Sequence, residues 1–268
     1  MSFVVPRGAK SFVVIFAALC AEPAAAGALL MDEGAGEIIV TSTFADANKA
    51  YDRHGHLIRT PSYGKFEAAG YVEYGATNWL TVIGEGNAFS FNGAATAFSF
   101  EPAAHYAGAG LGSLGGRIRL GEVAGVSFSA QASLRVASHS AGEFLDIKTP
   151  VQIDLRLLAF RGFEAFGLPW FVEGQLGYRS RGQSGDEIRA DLTLGLRPRP
   201  DVLLLAQSFS AFAPGAQASG GYAAQKFELS GVYDFNRDWS VQFGVLAAPT
   251  GVNSPAEKGV LAALWRRF

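Results

Sequence analysis

The stretch EIRADLTLGLR, Glu187 to Arg197, decides the fold. Ile188, Ala190, Leu192, Leu194 and Leu196 fall on one face, and Glu187, Arg189, Asp191, Thr193 and Arg197 on the other. Successive side chains of a strand point to opposite sides, so this period of two predicts a strand with one apolar and one charged face. VQIDLRLLAF repeats the pattern, with Val151, Ile153, Leu155 and Leu157 against Gln152, Asp154 and Arg156. KFEAAGYVEYG, VSFSAQASLRV, FVEGQLGYR and QKFELSGVYDF do the same.

Two architectures write this pattern. A soluble sandwich or barrel turns its apolar face inward; an outer-membrane barrel turns it outward, toward lipid. Segment length separates them. Soluble strands commonly run to about 5–6 residues, whereas tilted membrane strands need about 9–11. The segments here are of the longer kind, and twelve are expected, near 36–46, 63–75, 79–91, 111–121, 126–138, 149–162, 170–180, 187–198, 202–213, 222–235, 239–248 and 258–268. Short links (ATN, EVAG, EAFGLP, RPD, NRD) alternate with longer ones rich in Gly, Ala, Ser and Pro, such as PGAQASGG. Short periplasmic turns and long outer loops have this rhythm, and an even strand count places both ends in the periplasm. The expectation is an all-β, antiparallel transmembrane barrel of about twelve strands, located in the outer membrane.

The start of the chain agrees. MSFVVPRGAK carries Arg7 and Lys10, SFVVIFAAL is a short apolar core, and AEPAAAGA supplies small residues. That order is a secretory signal peptide, too short to span a bilayer as a helix. Cleavage is expected after Ala26 or Ala28, giving a signal peptide over 1–28 and one barrel domain over 29–268. The single cysteine, Cys20, lies in the signal, and Leu19 before it disfavours lipidation. The mature chain therefore has no disulfide and no cysteine nucleophile or metal ligand.

The whole chain holds 22 Lys and Arg against 24 Asp and Glu, a net charge of −2, with no basic excess to suggest nucleic acid. No run beyond the signal approaches the length of a membrane-spanning helix. Trp79, Trp170 and Trp239 each follow a short turn, and Trp265 lies near the end of the last strand. All four are expected in a periplasmic aromatic girdle. Phe268 closes the chain on an aromatic, like the C-terminal signal recognised by barrel-assembly machinery. Arg266 interrupts the apolar series Phe268, Leu264, Ala262 and Val260. At headgroup depth an arginine costs only about 0–1 kcal/mol.

Chemistry-bearing residues are few. His54 and His56, beside Asp52, form an H-x-H pair of the kind that binds metals, but in a solvated loop they read as incidental. His105 and His139 are also expected in loops. With no histidine on a strand, no Ser–His pair lines a barrel wall, and the chain reads as non-enzymatic with no cofactor. AGAGLGSLGGRIRL, with Gly108, Gly110, Gly112, Gly115 and Gly116, lacks the lysine and helix of a phosphate loop; flexibility and close strand contact explain it better. The inward charges are the candidate site: Lys65, Glu67, Glu73, Glu85, Arg117, Arg119, Arg135, Asp154, Arg156, Glu173, Arg179, Arg189, Asp191, Lys226 and Glu228. They line a lumen either as a path for polar solutes or as a paired structural network, and their mixed sign argues against strong ion selectivity.

GEIIVTSTFADANKAYD, YGKFEAAGYVEYGATNWLTV, EIRADLTLGLRPRPDVLLLAQSF and KFELSGVYDFNRDWSVQFGVLAA, with the ending GVLAALWRRF, resemble the XagA-like family, outer-membrane proteins linked to exopolysaccharide and biofilm operons. The resemblance implies export or surface display of an exopolysaccharide, with outer-membrane lipid, barrel-assembly machinery, a polysaccharide and periplasmic export proteins as partners. It carries no catalytic residue. The alternatives are a general small-solute porin, or a non-conducting structural or adhesion barrel acting through loops 47–62 and 92–110.

Overall fold

The computed structural model describes residues 28–94, 104–145, 147–214 and 221–268. The expected signal peptide therefore lies, but for Ala28, outside the described residues. The strands are β1 (Gly36–Tyr51), β2 (Leu57–Thr77), β3 (Leu80–Gly93), β4 (His105–Val123), β5 (Val126–Ala137), β6 (Val151–Ala165), β7 (Leu168–Ser180), β8 (Glu187–Arg199), β9 (Val202–Ala213), β10 (Tyr222–Asp234), β11 (Trp239–Val252), β12 (Ser254–Pro255) and β13 (Lys258–Arg267). Neighbours pair antiparallel around the sheet, and β1 pairs with both β2 and β13. The seam runs from Glu37↔Arg267 to Asp46↔Lys258. A two-residue β12 joins the end of β1. The wall is thus a closed antiparallel barrel of twelve strands, and closure leaves no edge to satisfy.

Burial alternates as the sequence alternates. On β8 the pattern is buried at Glu187, Arg189 and Asp191 and exposed at Ile188, Ala190 and Leu192. The outer surface is a belt of aliphatic and aromatic side chains, among them Phe44, Phe66, Leu114, Leu134, Leu157, Leu176, Leu229 and Phe243. The charges sit inside. This is the inverse of a soluble core and the arrangement that lipid demands.

The tight turns lie at the end of the barrel that carries Gly36 and Phe268. Ala124–Gly125 and Phe166–Gly167 each have φ positive at both central residues (52° and 74°, 57° and 71°). They are flanked by the pairs Val123↔Val126 and Ala165↔Leu168. That is the geometry of two-residue hairpins whose twist matches the strands.

The opposite end departs from expectation. Residues 47–62 are mostly strand: β1 and β2 continue to Tyr51 and Leu57, paired through Lys49↔Arg59 and Ala50↔Ile58. β4 begins at His105, well before the expected 111. Lys49 and Arg59 have no apolar face to signal a strand; backbone pairing with the neighbour holds them. Of the other long loops, 95–103 and most of PGAQASGG fall outside the described residues. A short helix, α1 (His139–Phe144), follows β5 and is capped by the Ser138 hydroxyl accepting from Ala141 N. Ala141 and Leu145 are fully buried and pack with Phe89, Phe91 and Tyr106 in one apolar cluster at this end of the barrel.

Candidate functional site

The barrel interior gathers nearly all of the charges expected there. Lys65, Glu67, Glu73, Arg117, Arg135, Asp154, Arg156, Glu173, Arg179, Arg189, Asp191, Lys226 and Glu228 are all buried. Glu85 is part-buried, with Ser113 Oγ at 3.1 Å and Arg135 Nη1 at 3.5 Å. Arg119 differs: it is exposed near the turn end of β4, where a bulge separates it from Gly121. Cations and anions occur in near-equal number.

Three clusters organise them. On β6–β8, Asp154 binds Arg156 Nε at 2.8 Å and Arg179 Nε at 2.7 Å, and Arg156 reaches Asp191 at 3.3 Å. Glu187 joins this cluster through Arg179 at 3.2 Å and Arg181 at 3.5 Å, and accepts from Tyr222 Oη. Toward the terminal end, Arg117 binds Glu73 at 2.8 Å and Gln131 at 3.0 Å, while Tyr71 Oη also donates to Glu73. The third cluster hangs on Glu257, in the link before β13, which contacts Lys226 at 3.2 Å, Lys65 at 3.8 Å and Tyr63 Oη at 3.0 Å. Burial of so many ions is tolerable because nearly all are paired.

The two walls differ. Arg117, Arg135, Arg156, Arg179 and Arg189 all lie on β4–β8. The facing wall carries an apolar cluster of Ile39, Leu203, Leu205, Val232, Ala263 and Trp265.

The segment before β1 is part of the site. Ala28 is 2% exposed, and its N–H donates to Glu173 Oε2 at 3.0 Å. Leu29 O accepts from Arg117 Nη1 at 3.2 Å, and Met31 N donates to Thr81 Oγ1 at 2.9 Å. Gly34 N donates to Gly75 O at 2.8 Å. Glu173 stands on β7 and Gly75 on β2, strands separated by four others in the wall. Residues 28–35 therefore cross the bore at its terminal end.

The candidate site left out Glu37, Arg181, Glu187 and Glu257, all buried, although the alternation had set Glu187 on the charged face of its strand. Glu187 opens β8 and Glu37 is the second residue of β1, both on the inward parity, which was a readable signal. Glu257 sits in a link and gives none. Trp265 corrects the expected girdle: it is 4% exposed, points inward, and donates from Nε1 to Gln242 Oε1 at 3.1 Å. Trp79 is 59% exposed. Trp170 stacks on Phe163, and Trp239 lies under the Arg266 guanidinium at 5.0 Å. Phe163, Phe166, Tyr233 and Phe235 are further exposed aromatics at this rim.

His105 also corrects its expectation: it opens β4 rather than lying in a loop, and its Nδ1 meets Asn92 Oδ1 at 2.7 Å. His139 opens α1. His54 and His56 donate their backbone N–H groups to Asp52 Oδ1 at 2.8 and 2.9 Å, a local turn. The His56 amide, ahead of other effects, holds the Asp52 carboxyl below its ordinary value. Among the described residues no group of three metal-binding side chains gathers. The glycines of 108–116 lie within β4, so strand contact and not loop flexibility explains them. A Cβ on Gly115 would collide with Ala132 O and Ser133 of β5.

No family model matches the chain, and no curated protein matches it by sequence. Solved structures do. An outer membrane channel from Pseudomonas putida F1 superposes with a TM-score of 0.71 at 13% identity, covering 92% of this chain and 100% of that one. The translocator domain of the autotransporter NalP from Neisseria meningitidis gives 0.52 at 15% identity, over 89% and 91%. The NanC porin gives 0.54 at 7% identity, over 85% and 98%. The fold is therefore that of the outer-membrane β-barrels. The apolar belt is stable only against lipid, which places the chain in the outer membrane.

Proposed function

We propose that the chain is an outer-membrane channel for small polar solutes, narrowed at its periplasmic end by residues 28–35. The carrying observation is how that segment is held. Its contacts to Glu173, Arg117, Thr81 and Gly75 are polar and non-covalent. A segment held this way exchanges its hydrogen bonds for water at modest net cost. The bore behind it is lined with charges and amides that a hydrated solute replaces in kind. Mixed charge makes the path weakly selective.

Liposome swelling tests this. Vesicles carrying the mature protein should admit small sugars, and a chain beginning at Gly36 should admit them faster. Vesicles that stay tight with either chain refute the reading.

A role in exopolysaccharide export or display rests on the resemblance to XagA-like proteins alone. It predicts that deletion of the gene removes surface polysaccharide while synthesis inside the cell continues. Unchanged surface polysaccharide leaves the small-solute reading alone.

A further inference from the structure

We propose that Glu173 is the receptor for the α-ammonium group freed when the signal peptide is removed, and that the mature chain begins at Ala28. Glu173 is 2% exposed on β7. Its Oε1 accepts from Gln175 Nε2 at 2.8 Å, and its Oε2 accepts from Ala28 N at 3.0 Å. Among the described residues no lysine or arginine forms an ion pair with it. The nearby guanidinium of Arg117 is engaged by Glu73 at 2.8 Å. Most of the other buried carboxylates, Glu37, Glu67, Glu73, Asp154 and Glu187 among them, do contact a cation.

A buried carboxylate without a counter-charge is costly. The atom already placed against Oε2 is a backbone nitrogen, and peptide hydrolysis between Gly27 and Ala28 turns that nitrogen into a primary amine, protonated at neutral pH. Water supplies the hydroxyl to the Gly27 carbonyl and the hydrogen to the Ala28 nitrogen. Gly27 and Ala25 then occupy the last and third-last positions of the signal, and both are small, as cleavage requires. The alternatives serve Glu173 less well. Cleavage after Ala28 removes the donor, and cleavage after Ala26 leaves it a neutral amide. Arg117 on Leu29 O and Thr81 on Met31 N fix the approach of the terminus, so the pairing is directional. The inference rests on the placement of this segment and holds whether or not the barrel conducts.

Two readouts test it. The intact mass of the protein purified from outer membranes should correspond to a chain beginning at Ala28; a start at Gly27 or Leu29 overturns the assignment. In the folded barrel at neutral pH, an amine-selective reagent should label the α-amine about tenfold more slowly than in E173Q, the effect of about one unit of raised basicity. E173Q preserves the shape of the site, so access is matched. Equal labelling rates overturn the ion pair. The mass measurement needs no variant and stands if E173Q fails to refold.

Discussion

Arg117 shows what a single inward charge does here. It joins Glu73, Gln131 and the Leu29 carbonyl, and so ties the wall to the segment that crosses the bore. Arg117→Ala leaves Glu73 buried without its cation, and an uncompensated buried charge costs about 3–5 kcal/mol. Urea unfolding in detergent should show that loss, and the double variant R117M/E73L should be less destabilised than R117A. A double variant at least as unstable as R117A contradicts the pairing. The inward parity of Lys65, Arg117, Asp154 and Arg189 was legible because a charge between apolar neighbours has one face to occupy. Glu257 was not, because a link has no periodicity and its partners come from β2 and β10. Trp265 shares the parity of Ala263 and Arg267, opposite to Leu264, so its inward direction was available from the alternation, and proximity to the turns alone misplaced it.

Strands and turns obey two different kinds of information. Where lipid faces the wall, hydrophobic alternation sets the strand, and β5, β8 and β9 begin and end within a residue or so of expectation. Beyond the lipid, pairing replaces alternation, and the β1–β2 hairpin outruns its apolar pattern. α1 is six residues long and held by burial of Ala141 rather than by an amphipathic period, so only the Ser138 cap announces it in the sequence. Close strand contact gives a sharp test: Gly115→Val should block barrel formation, whereas Gly86→Ala, where a Cβ meets nothing within 4 Å, should refold normally. Migration of unheated protein on a gel reads both, and equal refolding contradicts the contact. The β7–β8 link offers a pH test. The Tyr178 hydroxyl and the Arg181 amide hold the Asp186 carboxyl below its ordinary value. A depressed carboxylate stabilises the link fully above the ordinary value near pH 4 and loses this as pH falls through the depressed one. Protection of the Arg181 amide against hydrogen exchange, taken relative to its intrinsic rate at each pH, should therefore hold from neutral pH to about 4 and fall below it, and D186N should show little protection throughout.

In the whole barrel, closure at the β1–β13 seam joins the first strand of the wall to the last. Phe268 N donates to Gly36 O at 2.9 Å, and Gly36 N donates to Phe268 O at 2.7 Å. The Phe268 ring lies against Gly36 so closely that a Cβ there has no room. Truncation of Phe268 should lower the assembled fraction in outer membranes by loosening this seam. The closed wall was legible in the sequence because twelve alternating segments and rhythmic links leave few other solutions. The arrangement inside the bore was not, since it depends on which strands face one another across the lumen, and on a segment before β1 that alternation does not describe. The most direct measurement is single-channel conductance in a planar bilayer, comparing the mature chain with one that begins at Gly36. We expect a small, weakly selective conductance from the mature chain and a larger, steady one from the shortened chain. Insertion of both without conductance would contradict a solute path and leave the buried charges as a structural filling.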